Sequence, residues 1–277
     1  FNAPNFYSNF TKGKLTYKLA AYPFKYFEQG YKQDKRWIKE QEINLTPAQK
    51  QEIFTYLYIN AKPENANYEY DPFFENCATK MPDIISKVVG DKVSFSEDFA
   101  SQNLSFRQLM NREIHWNTWG NLGINVALGN KLDKIATARE YTYLPDYVYE
   151  SFKNGTTFIE NQPEALVKKE TTILNIKEIE AKGDFISPFL ILTLLLLIGL
   201  FITFKDLKNK TRTKWFDFLL FFTTGIIGLL VVFLWFFTNH STTPNNFNFL
   251  WAFAPNLIVS FYLLKKNPPN WIQSYIK

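Results

Sequence analysis

Three apolar runs dominate the last third of the chain. Phe185 to Phe204 is twenty residues without a charge, enough for about 30 Å of helix. Phe218 to Thr238 is a second run, containing Gly225 and Gly228, and Phe247 to Leu264 is a third, interrupted by Pro255 and Asn256. Buried core helices of a soluble domain fit such lengths poorly, so the pattern predicts transmembrane helices at about 185–204, 218–238 and 247–264. Before Asp184 the pattern changes. Leu15, Tyr17 and Leu19 alternate along a strand from Lys14 to Leu19. Pro23 opens a short helix through Tyr31, with Phe24, Tyr26 and Phe27 available for a core. A second strand runs from Arg36 to Leu45. Thr46-Pro47-Ala48-Gln49 is a helix start, with a Thr cap, Pro in the first position and Gln completing a capping box. Ile53, Phe54, Leu57 and Tyr58 give that helix an apolar stripe, and Pro63 ends it. Tyr68 to Asp71 is extended, and a helix begins in the Cys77 segment and runs to Val89, stopped by Gly90. Further helices are expected over Ser105–Arg112, at Trp119-Gly120-Asn121-Leu122-Gly123 with Leu128-Gly129, where the glycine spacing suggests close packing on a neighbour, and from Tyr143-Leu144-Pro145-Asp146 through Phe152. Residues 156–184 are mixed and charged and lead towards the membrane. Strands alternating with helices give an α+β domain over 1–184, followed by an all-α membrane region over 185–277.

Charge sets the topology and removes one class of function. Residues 1–184 carry 23 Lys/Arg against 24 Asp/Glu, a net of −1, and residues 185–277 carry 8 against 2, a net of +6. The basic excess therefore belongs to the loops of the membrane region. The larger domain has no basic stripe of the kind nucleic acid requires, so no nucleic-acid partner is expected. The stretch Lys205 to Lys214 holds five basic residues and one acid, which marks it cytoplasmic. Asn239 to Asn246 carries no formal charge and suits the far side. Residues 1–184 then face away from the cytoplasm.

Candidate chemistry centres on Cys77, the one cysteine of 277 residues. It stands in Asn76-Cys77-Ala78-Thr79 at a strand-to-helix transition. A single thiol forms no internal disulfide and no multi-cysteine metal site. It is left as an inert buried thiol, an intermolecular partner or a nucleophile. At a helix start it meets unpaired N–H groups and the positive end of the helix dipole, which favour thiolate. The same donors, around Asn76, Ala78 and Thr79, can hold an oxyanion as a carbonyl is attacked. Lys80 adds a positive charge nearby and Glu75 opposes it. Pro82 predicts either a kink or a helix that begins only at Ala78 or Thr79.

A thiolate nucleophile ordinarily works with an imidazole. The chain has two histidines. His115 follows a helix and reads as a cap, and His240 lies on a loop beyond the second apolar run. No His/Asp/Glu cluster offers a metal site and no strand–GxGxxG–helix order offers a dinucleotide site, so neither metal nor cofactor is expected.

Asn5-Phe6-Tyr7, Lys12-Gly13-Lys14-Leu15, Tyr22-Pro23-Phe24, Asn44-Leu45-Thr46-Pro47, Asn76-Cys77-Ala78-Thr79, Trp119 with Gly123, Leu128-Gly129 and Leu144-Pro145 resemble, in order, the periplasmic domain of the Lnb-type bacterial lipoprotein N-acyltransferases, across roughly residues 1–155. Membrane helices follow, as in that family. The resemblance implies a permuted papain-like periplasmic domain in the bacterial inner membrane, with Cys77 as the catalytic nucleophile. Its substrates would be a phospholipid acyl donor and the lipidated N-terminus of a lipoprotein, joined through an acyl-cysteine intermediate. It also implies a catalytic histidine in a Gly-His motif upstream of the cysteine. From the opening Phe1-Asn2-Ala3-Pro4 and the lack of that motif we expect a truncated fragment, inactive alone. Pro82 stands where the family usually has a polar residue. Two other readings are an envelope cysteine peptidase or amidase, and a non-catalytic envelope scaffold with Cys77 buried.

Overall fold

The computed structural model describes residues 5–177 and 181–276. The opening Phe1–Pro4 and part of the expected approach to the membrane, 178–180, lie outside the described residues. The chain forms two compact units. One gathers Lys14–Leu109, the stretch from Ile135 up to the membrane approach, and the residues before Thr11. The other gathers Thr11–Gly13, Met110–Lys134 and the region from Ala181 onward.

The first unit mixes helices with short strands: β1 (Thr16–Lys18), β2 (Ile38–Ile43), β3 (Asn67–Glu69), β4 (Val93–Ser94), β5 (Thr156–Ile159), β6 (Gln162–Ala165) and β7 (Val167–Leu174). All pairings are antiparallel. β1 pairs with β3 and sets Tyr17 opposite Tyr68. β2 pairs with β7 through two register shifts, and β4, β5 and β6 form a three-stranded sheet. β5 to β7 occupy a stretch that the sequence shows as mixed and charged. Its strands lack the period-2 apolar signature, because β6 is exposed throughout and β7 is half exposed, with Val167, Thr171, Ile173 and Leu174 half-buried. The β2–β7 ribbon sets Glu42 opposite Lys169 and Glu40 opposite Thr171, so polar side chains line it without a buried face to reveal it.

Helix starts follow the local code closely. Thr46 caps Pro47–Asn60 with the reciprocal bond to Gln49, as its sequence predicts. The apolar stripe of that helix is a correction. Ile53 packs on the core, whereas Phe54, Leu57 and Tyr58 are exposed. Phe24 and Tyr26, offered to a core by the pattern, are also exposed. The core beneath the cysteine helix joins Ile85, Val89, Val148, Phe152 and Leu166. A second apolar centre gathers the rings of Phe73, Phe106 and Tyr143 in edge-on and tilted contacts.

In the second unit two helices, Pro188–Asn209 and Lys214–Phe236, are long and apolar enough to cross a membrane. Both extend further towards the basic connection than the apolar runs do, and Asp206 ties that connection by accepting from the Thr213 N–H at 2.6 Å. The third expected helix, 247–264, is not one helix. It is a single turn, Phe247–Leu250, followed by an eight-residue helix, Asn256–Leu263, too short at about 12 Å to span a bilayer. The whole run nevertheless lies antiparallel along Lys214–Phe236. Phe249 meets Trp235, Leu257 abuts Gly225 and Ala252 abuts Gly228, and the Leu263 carbonyl accepts from Arg212 at 3.2 Å. Irregular backbone is tolerated at membrane depth where protein covers it, and Ala252 is fully buried. Of the glycines expected to pack closely on a neighbour, Gly129 does so, against the Pro244 backbone, whereas no heavy atom lies closer than 4 Å to where a Cβ at Gly120 or Gly123 would stand.

Candidate functional site

The helix that carries the cysteine runs from Cys77 to Val89 with Pro82 inside it. The delayed start that Pro82 suggested does not occur, because Asn76 provides a complete cap one residue earlier. Its side-chain oxygen accepts from the N–H of Ala78 at 2.9 Å and of Thr79 at 3.0 Å. The Asn76 N–H in turn donates to the Thr79 hydroxyl at 3.0 Å, a reciprocal box built from Asn and Thr. The other end of the Asn76 amide donates to the carbonyls of Pro72 at 2.9 Å and Tyr143 at 2.8 Å. Asn76 and Thr79 are both buried. Thr79, Pro82, Ile85 and Val89 form the inward stripe of the helix. Cys77 and Met81, one turn apart, lie on the outer side, and both are exposed. The expectation that Cys77 is a buried thiol is therefore corrected.

The amides expected to receive an oxyanion need a second correction. Those of Ala78 and Thr79 are taken by Asn76, which leaves the N–H of Cys77 itself as the donor of this turn that Asn76 does not occupy. Lys80 and Glu75 pair with each other, so their opposite charges offset one another beside the sulfur. Both are substantially exposed, and the pair contributes little to stability. Ahead of the helix, Asp71 accepts from the N–H groups of Phe73 and Phe74 at 2.9 and 3.0 Å. That shapes the turn leading to Asn76. From the far side of the sequence, Arg139 donates to the Thr79 carbonyl at 2.8 Å and to Asp83 at 2.5 Å. Segment 139–143 therefore holds the first turns of the helix from two directions.

Three tyrosines not foreseen in this role flank the sulfur. Tyr68 places its hydroxyl oxygen 3.9 Å from Cys77 Sγ. Tyr17 stacks on Tyr70 with ring centroids 4.1 Å apart and lies 6.4 Å from the Tyr68 ring. Burial first, and then the adjoining thiol, push the Tyr68 hydroxyl far above its ordinary range. Burial and neighbouring groups raise Tyr17 and Tyr70 as well. The Tyr68 hydroxyl therefore keeps its proton at neutral pH and shares a hydrogen bond with the sulfur in which either atom could be the donor. The alternation of Tyr17, Tyr68 and Tyr70 is visible in the sequence, but the β1–β3 pairing that gathers them spans about fifty residues of chain.

His115 and His240 both belong to the second unit. The His115 ring accepts from the Asn117 N–H at 3.1 Å and its carbonyl accepts from the Thr118 hydroxyl at 2.9 Å. Among the described residues no group of three or more His, Cys, Asp or Glu is placed to hold a metal ion. A cavity of about 450 Å³ in the first unit is lined by Trp37, Lys39, Tyr149, Glu150 and Thr172 among others, and none of the cysteine's neighbours contributes to it.

A mixed helix–sheet unit that presents an exposed thiol on a capped helix, in a chain with two membrane-length helices, describes a membrane-anchored envelope protein. The chain belongs to the Lnb family. The Lnb N-terminal periplasmic domain matches residues 1–112 and the Lnb transmembrane domain matches residues 180–277. It is accordingly an inner-membrane protein with a periplasmic segment. No curated protein and no solved structure matches it.

Proposed function

We propose that this protein is a thiol-dependent acyltransferase that moves a fatty acyl chain from a phospholipid to the N-terminal amine of a lipoprotein, with Cys77 as the acyl carrier. The observation that carries this reading is the exposure of Cys77 at the first position of a helix whose cap is fully made. In the first half-reaction the Cys77 thiolate attacks the ester carbonyl of the phospholipid. The Cys77 N–H and the Tyr68 hydroxyl supply donors for the developing oxyanion. Collapse breaks the ester bond, the lysophospholipid alkoxide leaves with a proton, and an acyl-thioester remains. In the second, the α-amine of the lipoprotein's lipidated cysteine attacks that thioester, forms the amide and returns the thiolate. Family membership supports the acyltransferase class, and the resemblance assigns the base to a histidine in a Gly-His motif preceding the cysteine.

Intact-protein mass spectrometry tests this. The full-length protein in phospholipid bilayers should gain the mass of one fatty acyl chain, on Cys77 and labile to hydroxylamine, and should lose it when a diacylated lipopeptide is added. Retention of full activity by Cys77→Ser, or release of peptide fragments from cell wall with lipoprotein N-termini unchanged, would overturn the assignment.

A further inference from the structure

Residues 5–36, of which all but Thr11–Gly13 belong to the first unit, differ in composition from residues 37–177. They carry seven Lys/Arg against two Asp/Glu, a net of +5, whereas residues 37–177 carry 15 against 19, a net of −4. The same 32 residues hold nine Phe or Tyr, yet the one side chain among them that is buried is Leu15. Tyr7 is 84% exposed, and Tyr22, Phe24 and Tyr26 are each more than half exposed. The segment is nonetheless ordered into helices at Phe6–Thr11 and Phe24–Gln33 and the strand β1. Ordering costs conformational entropy that burial normally offsets. Exposed aromatic rings interleaved with basic side chains are the composition of elements lying at a bilayer interface, where the rings sit at headgroup depth and the cations meet anionic lipid.

One stretch of this region also docks within the membrane-bearing unit. The Lys12 carbonyl accepts from the Asn239 N–H at 2.8 Å. Gly13, at φ 72°, lies so close to the Asn239–His240 backbone that a Cβ could not fit there. Asn239 and His240 directly follow Lys214–Phe236, at the end opposite the basic connection 205–214. Phe10 is two residues from Lys12, so the aromatic helix ends where the chain meets the periplasmic mouth of a membrane helix.

From these observations we infer that residues 5–36 lie on the periplasmic leaflet of the inner membrane as an interfacial element, with Tyr7, Phe10, Tyr22, Phe24 and Tyr26 among the headgroups and Lys25, Lys32, Lys35 and Arg36 contacting anionic phospholipid. This is independent of the chemistry proposed for Cys77, and its test reads position rather than turnover. The full-length protein in a Cys77→Ser background, with single cysteines at Tyr7, Tyr26 or the exposed turn residue Glu160, is labelled with an environment-sensitive fluorophore. It is then placed in nanodiscs that contain headgroup-spin-labelled lipid. Labels at 7 and 26 should be quenched several-fold more than the label at 160. Phosphatidylglycerol should strengthen that difference over phosphatidylcholine alone, and about 1 M salt, where screening acts over roughly 3 Å, should weaken it. Lys25→Glu/Lys32→Glu/Lys35→Glu should lose the phosphatidylglycerol dependence. The milder Gln triple variant should lose part of it, which separates charge from folding. Quenching at 7 and 26 no greater than at 160, or indifferent to both phosphatidylglycerol and salt, would overturn the inference.

Discussion

The two units of this chain solve the problem of position by different means. Around Cys77 the work is done by directional bonds: one buried asparagine makes four of them, and Arg139 adds two more from another part of the sequence. In the membrane-bearing unit the same end is reached by removing side chains. Gly225, Gly228 and Gly129 let another backbone approach to within contact, and Asn246 and Asn248 satisfy carbonyls of Asn125, Val126 and Ala127. The difference follows from solvent. Lipid is as apolar as leucine, so burial does not select one helix neighbour over another, and close van der Waals approach with a few polar contacts must do so. A periplasmic unit has the hydrophobic effect available and uses hydrogen bonds to fix the detail.

Substituting glycine separates these modes most strongly. Gly228→Ala would drive a methyl into the Ala252 carbonyl and should destabilise the membrane-bearing unit by about 3 kcal/mol, read as a lower melting temperature in detergent. Gly30→Ala, where no atom lies within 4 Å, should instead stabilise its helix by about 0.5–1 kcal/mol. Equal effects at the two sites would erase the contrast.

Asn76→Ala should cost about 2 kcal/mol in chemical denaturation, since it frees two helix amides and orphans the Tyr143 carbonyl. The same change should alter the alkylation rate of Cys77, because the turn that holds the sulfur loosens.

How much of this was legible beforehand depended on distance along the chain. The Thr46–Gln49 box and the Tyr143–Asp146 stretch that opens the Pro145–Lys153 helix are written in four consecutive residues each, and both are legible in the sequence. The Asn76–Thr79 box is equally local, and its signal, a cap residue one position before the helix with a polar partner three residues later, was available but was taken for oxyanion chemistry instead. The tyrosines around the sulfur depend on β1 meeting β3, and the β2–β7 ribbon on strands more than 120 residues apart, and no local pattern encodes either. The break in the third apolar run was signalled by Pro255. Its packing along Gly225 and Gly228 was not, because hydropathy records how apolar a segment is and not what covers it.

Smaller effects sharpen the account of the first unit. Tyr68→Phe removes a donor without changing shape and should lower turnover about tenfold with KM little altered, while the protein's melting temperature stays unchanged. Away from the sulfur, Glu170 accepts from Gln41 and from Tyr149, which hold its carboxyl below the ordinary carboxylate range. Burial first, then Glu170, push the Tyr149 hydroxyl up to about 12. A depressed carboxylate contributes stability that is present above its unfolded value and is lost as pH falls through its folded one. Gln41→Ala should therefore lower stability slightly at neutral pH, with the two proteins converging in acid. A constant difference across that range would assign the effect to packing.

The hydrogen bond that the Asn76 side-chain amide donates to the Tyr143 carbonyl crosses 67 positions of sequence. During export the cysteine emerges from the translocation channel well before the carbonyl that completes its cap. Its turn can be finished only after residue 143 has also crossed. A maturing chain thus carries the thiol past the bilayer before its turn is arranged, and the cap of the cysteine helix is completed as a late event of assembly rather than at emergence.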